Sequence, residues 1–229
     1  MAVAPPAPKI DSTDQTRAKG RLHDSYFWHR LHSASGIFPI GVFLLQHMIA
    51  NSYALRGPVA YNTVVKVFGY LPFVTVLEFA VIYIPILFHS LYGFFITAYG
   101  QANLGRYGYG RNWLYFMQRA SGVVAFAYIG FHIYNTSWQK YQHGEVSIQY
   151  QAMAHQMATP AYFAAYLIGI TATVFHFTNG LWNFCIRWGI TISARSQRLM
   201  AYACWGMFAV FTLIGIATAN SLRAAGLAH

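Results

Sequence analysis

Residues 146–186 run for 41 positions without an Asp, Glu, Lys or Arg. A run that long leaves no charged face with which to meet water, yet it exceeds the roughly 20 residues a helix needs to cross a bilayer. Three more uncharged runs of crossing length lie at 31–55, 120–139 and 199–222, and a fifth, 67–105, carries one charge, Glu78. The whole chain of 229 residues is 56% hydrophobic and only 9% charged, which excludes an ordinary soluble domain. The fold class expected is all-α: a polytopic membrane bundle of five transmembrane helices. Its spans are predicted at 31–53, 72–99, 113–138, 160–182 and 199–222. Pro72 and Pro160 are expected to open helices, where a missing N–H is harmless. Pro39 and Pro85 fall inside spans and are expected to bend them.

Residues 1–25 are rich in Pro, Ala, Ser and Thr and contain no apolar signal-like core, so they read as a disordered cytoplasmic arm before a single membrane domain at 26–229. Basic residues near span ends are retained on the cytoplasmic side. With the N-terminus inside, eleven of the fifteen Lys and Arg fall inside and four, Arg56, Lys66, Lys140 and Arg223, fall outside. That asymmetry selects a cytoplasmic N-terminus and an outer C-terminus. It also makes the net charge of +10 a topology signal and an attraction to anionic lipid, with no nucleic-acid motif beside it. The two cysteines, Cys185 and Cys204, are too few for a disulfide framework.

Four histidines lie inside spans, away from the ends: His47, His89, His132 and His176, separated by 42, 43 and 44 residues. Each comes late in its helix, so alternating helix direction sets them outer, inner, outer, inner. His89 and His176 both fall about 24 Å from the outer ends of their spans at 1.5 Å per residue. Two pairs at two depths follow, His89 with His176 and His47 with His132. Both inner histidines stand in FHxxxG, with Gly93 and Gly180 one turn along the same face. On the fourth span, Gly169, Thr173, His176 and Gly180 make a stripe of small residues that admits a neighbouring helix or a flat macrocycle. A lone intramembrane histidine is most simply an interhelical hydrogen bond. Four at matched depths point instead to two b-type haems, each held by two imidazoles from facing helices. Zinc is disfavoured, because a structural site wants four ligands. A transporter with a histidine-lined path is the reading from another class, but Glu78 alone is too little intramembrane polarity for it.

RLHSASGIFPIGVFLLQH (30–47), LPFVTVLEFAVIYIPILFHSLYG (71–93), RNWLYFMQRASG (111–122), VFHFTNGLWNF (174–184) and WGITISARSQR (188–198) together resemble the cytochrome b subunit of succinate dehydrogenase/fumarate reductase, the single-subunit, five-helix, dihaem anchor of bacterial complex II. The similarity runs from about residue 26 to 222. It implies two haem b groups, the proximal one held by His89 and His176 and the distal one by His47 and His132. It also implies a flavoprotein subunit and an iron–sulfur subunit on the cytoplasmic face, with quinone, usually menaquinone, in the membrane part. A higher oligomer of the complex is compatible with it. Other respiratory dihaem b subunits distribute their histidines differently.

Within that frame His32, Ser33, Arg119 and Arg187 stand at cytoplasmic span ends, suited to haem propionates; retention of positive charge inside explains the arginines equally well. His29 and His32 are also placed for contact with the iron–sulfur subunit. Glu78 precedes His89 by eleven residues, on the same helical face and about 16 Å nearer the outer surface. It reads as a proton relay for a quinone site near the distal haem, or as a carboxyl bound to a neighbouring helix.

Overall fold

The computed structural model describes residues 26–228, and every regular element among them is helical. The arm predicted at 1–25 and the C-terminal His229 lie outside the described residues.

Proline and glycine decide where the first helices stop. Helix α1 (26–37) ends at Phe38 and Pro39, and α2 (Ile40–Ser52) starts anew beyond them. Proline has no N–H to donate and disfavours the helical region for the residue before it. The first span is therefore two helices joined at a break where a bend was expected. A single turn, Tyr53–Arg56, leads to Gly57, whose φ of 90° lies in the region open to glycine. That residue turns the chain into the short outer helix α3 (Pro58–Gly69), with Pro58 in its first turn.

Helix α4 (Val74–Tyr99) begins two residues later than Pro72 had indicated, because Phe73 takes a left-handed conformation ahead of it. Pro85 does not break α4. A wider π turn, Glu78–Tyr83, directly precedes it and makes room in the helical ladder at the point where the ring denies a hydrogen bond. Helix α5 (Gly110–Ile133) passes through a second π turn, Tyr134–Trp138, into a last turn, Gln139–His143. The outer helix α6 (Tyr150–Ala158) leads through Thr159 and Pro160 to α7 (Pro160–Arg187), which Pro160 does open. Helix α8 (Ala194–Leu227) is started by a capping box: Ser193 Oγ accepts from the Ser196 N–H at 3.1 Å, and Ser196 Oγ from the Ser193 N–H at 3.0 Å.

Among the described residues four stretches are long and apolar enough to cross a membrane: Tyr26–Arg56, Val74–Tyr99, Pro160–Arg187 and Ala194–Leu227. Helix α5 is long enough but is more polar, with Arg111, Asn112, Gln118 and Arg119 in its first half and His132 near its end. It lies antiparallel along α7, Gln118 meeting Gly180, Tyr128 meeting Gly169 and Phe131 meeting Tyr162. The closest packing joins α7 to α8, α5 to α7 and α6 to α8. Helix α4 buries no residue at all.

Helices α3 and α6 close one end of the bundle. Tyr61, Tyr150, Met153, Met157, Tyr166 and Leu222 form a buried cluster there, each side chain of this size stabilising by about 1.5–3 kcal/mol relative to exposure. Burial pushes the Tyr61 phenol up to about 12, so the ring packs there uncharged. The Tyr150 N–H, at the start of α6, donates to Asn62 Oδ1 of α3 at 2.9 Å.

Candidate functional site

The four histidines singled out above, His47, His89, His132 and His176, meet in two pairs. His89 of α4 and His176 of α7 have ring centroids 6.1 Å apart, and His47 of α2 and His132 of α5 have theirs 5.6 Å apart. Among the described residues no group of three or more His, Cys, Asp and Glu could hold an ion by side chains alone.

At the inner pair both imidazoles are oriented by a carbonyl on a neighbouring helix. His89 Nδ1 lies 3.0 Å from the His32 carbonyl of α1 and 3.2 Å from Ser35 Oγ, which itself donates to the His32 carbonyl at 2.9 Å. His176 Nδ1 lies 3.0 Å from the Gln118 carbonyl of α5. A carbonyl only accepts, so each Nδ1 carries the proton and each Nε2 keeps its lone pair. The rings are also approached by glycine. A Cβ on Gly36 would stand 2.6 Å from His89 Cε1, and one on Gly122 would stand 2.8 Å from His176 Cε1. Only glycine admits the ring that closely.

Side chains complete the inner site. The His32 ring stacks on His89, centroids 4.2 Å apart and planes 10° apart, and its Nε2 fills the space over Gly93. The Gln118 amide donates to the His176 carbonyl at 3.0 Å, and Asn179 donates to Gln118 Oε1 at 2.6 Å and to the Leu114 carbonyl at 3.3 Å. Gly180 faces the Gln118 amide, and Gly169 receives the Tyr128 ring. The small-residue stripe on α7 thus seats α5.

The outer pair is held differently. Tyr166 OH lies 3.1 Å from His132 Nδ1. For His47 the neighbour is on its own helix: Asn51 Nδ2 sits 3.2 Å from Nε2 and donates to the His47 carbonyl at 2.9 Å.

The remaining sequence candidates separate into two places. Arg119 is near the inner pair, one turn before Gly122 on α5; its guanidinium lies 3.4 Å over the Tyr115 ring and against Gly100, with a buried Nε that has no acceptor. Ser33 is half-buried beside His32, and Arg187 is exposed in the last turn of α7. Glu78 is elsewhere. Its carboxylate pairs with Lys140 Nζ at 2.8 Å and accepts a hydrogen bond from Tyr141. Partial burial and that carboxylate hold the Tyr141 phenol above its ordinary range. Lys140 follows His132 by eight residues, about 12 Å further along the helix. Glu78 is therefore tied to the outer end of α5.

Gly36, Gly122, Ser35, Gln118, Asn179, Asn51 and Tyr166 did not emerge from the sequence reading. One signal was available for the first three: Ala-Ser-Gly occurs at 34–36 and again at 120–122. In each copy the carbonyl four residues before the glycine accepts from an inner histidine, and the glycine faces that histidine's ring.

No family model matches the chain. Over 191 residues, 83% of this chain and 94% of the relative, it is 36% identical to a protein of Bacillus subtilis (strain 168) named succinate dehydrogenase cytochrome b558 subunit.

Proposed function

This chain belongs to the succinate dehydrogenase cytochrome b subunits, and from that premise we propose that it anchors the complex in a bacterial cytoplasmic membrane, holds two haem b groups, and passes electrons between an iron–sulfur subunit and membrane quinone, menaquinone by the family's habit. A flavoprotein subunit completes the assembly on the cytoplasmic side. The single observation that carries the reading is the pairing of the four histidines at two depths. In each pair two imidazoles from different helices come together, ring centroids 6.1 and 5.6 Å apart, so that one iron could be shared by both. When bound, each haem supplies reversible one-electron exchange at its iron.

The residues present fit such a group. His89 and His176 would hold the inner iron through Nε2, their Nδ1 protons given to carbonyls, the arrangement that fixes a ligating imidazole and raises its basicity. His47 and His132 would hold the outer iron, with Asn51 turning aside from His47 Nε2. Arg119, whose buried Nε lacks an acceptor, is the best placed cation for a propionate, with His32, Ser33 and Arg187 beside the same end. We assign Glu78 to proton exchange on the outer, quinone-facing side, its carboxylate set by Lys140 and Tyr141.

We read five crossings: the antiparallel course of α5 along α7, itself of crossing length, supports a fifth beside the four apolar stretches. Lys and Arg asymmetry then puts the N-terminus in and the C-terminus out. The test is purification of the assembled complex from membranes: a flavin-containing and an iron–sulfur partner should accompany the chain, and the reduced-minus-oxidised spectrum should show bis-histidine b haem. A chain recovered without partners and without that spectrum would refute the proposal.

A further inference from the structure

The two inner histidines have matching backbone acceptors but unlike side-chain surroundings. At the first Ala-Ser-Gly copy, position 32 is a histidine whose ring lies flat on His89, and the residue three beyond His89 is Tyr92, whose OH lies 2.9 Å from His29 Nδ1. At the second, position 118 is a glutamine and the residue three beyond His176 is Asn179. There the side chains close a loop between helices α5 and α7: Asn179 Nδ2 to Gln118 Oε1 at 2.6 Å, and Gln118 Nε2 back to the His176 carbonyl at 3.0 Å. Asn179 is only 7% exposed. Both ends of the loop lie on residues that bracket the Nδ1 hydrogen bond, since Gln118 supplies its acceptor and His176 its donor.

We propose that Gln118 and Asn179 are positioning residues for His176: their amide loop clamps α5 to α7 at one level and so fixes the length and direction of the His176 Nδ1 hydrogen bond. This rests on His176 being an axial ligand of the inner haem. The chemistry follows from ligand basicity. A strong hydrogen bond donated by Nδ1 makes Nε2 a better electron donor, which favours ferric over ferrous iron. Slackening the clamp therefore raises the potential of one haem. The other haem, whose histidines lean on Tyr166 and Asn51, is untouched.

Competition at His176 explains why the amide must be tethered. Gln118 Nε2 lies 3.3 Å from His176 Nδ1, and two donors facing one another gain nothing. Asn179 holds the carboxamide so that its N–H points to the His176 carbonyl, leaving the imidazole proton to the Gln118 carbonyl.

The test uses the purified complex with Asn179→Leu and, as a second route to the same loss, Gln118→Met. Readouts are haem per polypeptide, the low-spin g values of each haem, and a potentiometric titration. A tenfold change in the preference between ferric and ferrous iron is about 59 mV for one electron. Both haems should be retained, with one potential raised by about that amount, its g values moved, and the second haem unchanged. Two haems with unaltered potentials and g values in both variants would overturn the clamp and leave the dihaem assignment standing. A variant that perturbs both haems equally would also overturn it, since the loop touches one site. Absence of haem from the unmodified complex would instead defeat the assignment on which it rests.

Discussion

Substitution of Gly122 by alanine is the sharpest structural test of how the inner pair is built. A Cβ there would lie 2.8 Å from His176 Cε1 and 3.1 Å from Nδ1, so the ring must retreat by about 0.6 Å to reach ordinary van der Waals contact. It cannot retreat freely, because Nδ1 is bonded to the Gln118 carbonyl one turn earlier on the same helix. Two effects oppose one another. Alanine in place of glycine inside a helix gains about 1 kcal/mol, while overpacking a closed site costs about 1–3 kcal/mol and a stretched hydrogen bond about 0.5–1.5 kcal/mol. The expected balance is a loss of about 0.5–3.5 kcal/mol, concentrated at His176. Gly130, on the same helix with nothing within 4 Å of its Cβ position, supplies the control: Gly130→Ala keeps the helical gain and meets no ring. Thermal unfolding in detergent should place Gly122→Ala below the parent and Gly130→Ala level with it or above, and only Gly122→Ala should lose haem on gel filtration. A Gly122→Ala chain as stable as Gly130→Ala, with its haem spectrum intact, would refute this account of the glycine.

Tyr166→Phe removes the hydroxyl 3.1 Å from His132 Nδ1; about 1 kcal/mol of stability and a shift in the outer haem's g values should go with it, while the inner signal stays, and the reverse pattern would misplace Tyr166. Ser193→Ala deletes the capping box of α8 and should lower stability by about 0.5–2 kcal/mol, read as a lower Tm with haem content unchanged. Glu78→Gln, which leaves Lys140 without its ion pair, should slow quinone turnover in the complex with both haems present; turnover equal to the parent's would remove Glu78 from proton exchange.

The helices of crossing length and the approach of His89 to His176 and of His47 to His132 were readable because each depends on periodicity along one segment: uncharged length, then helix rise. What each histidine touches across the bundle was not readable, because it depends on the rotation of α1 against α4 and of α5 against α7. Gly93 and Gly180 lie on the imidazole faces of their own helices, as spacing required, yet the rings are met by Gly36 and Gly122 from the neighbours. Glu78 shows the same limit. Counting residues set it near the level of the outer histidines, whereas its partner Lys140 lies about 12 Å past His132 and 62 positions away in sequence, and no local pattern pairs them. Pro72 and Pro39 mark a third limit. A proline excludes the interior of a helix without saying how the chain goes on; the structure starts α4 only at Val74 and parts α1 from α2. Pro85, by contrast, is accommodated by a π turn that no hydropathy pattern reveals.

The central claim is that four histidines hold two haems in separate pairs, and haem per polypeptide in the parent and in His176→Leu measures it directly. The parent should hold two haems and the variant one, the survivor keeping the potential of the outer haem. A parent without two haems, or a His176→Leu chain that still holds both, would contradict it.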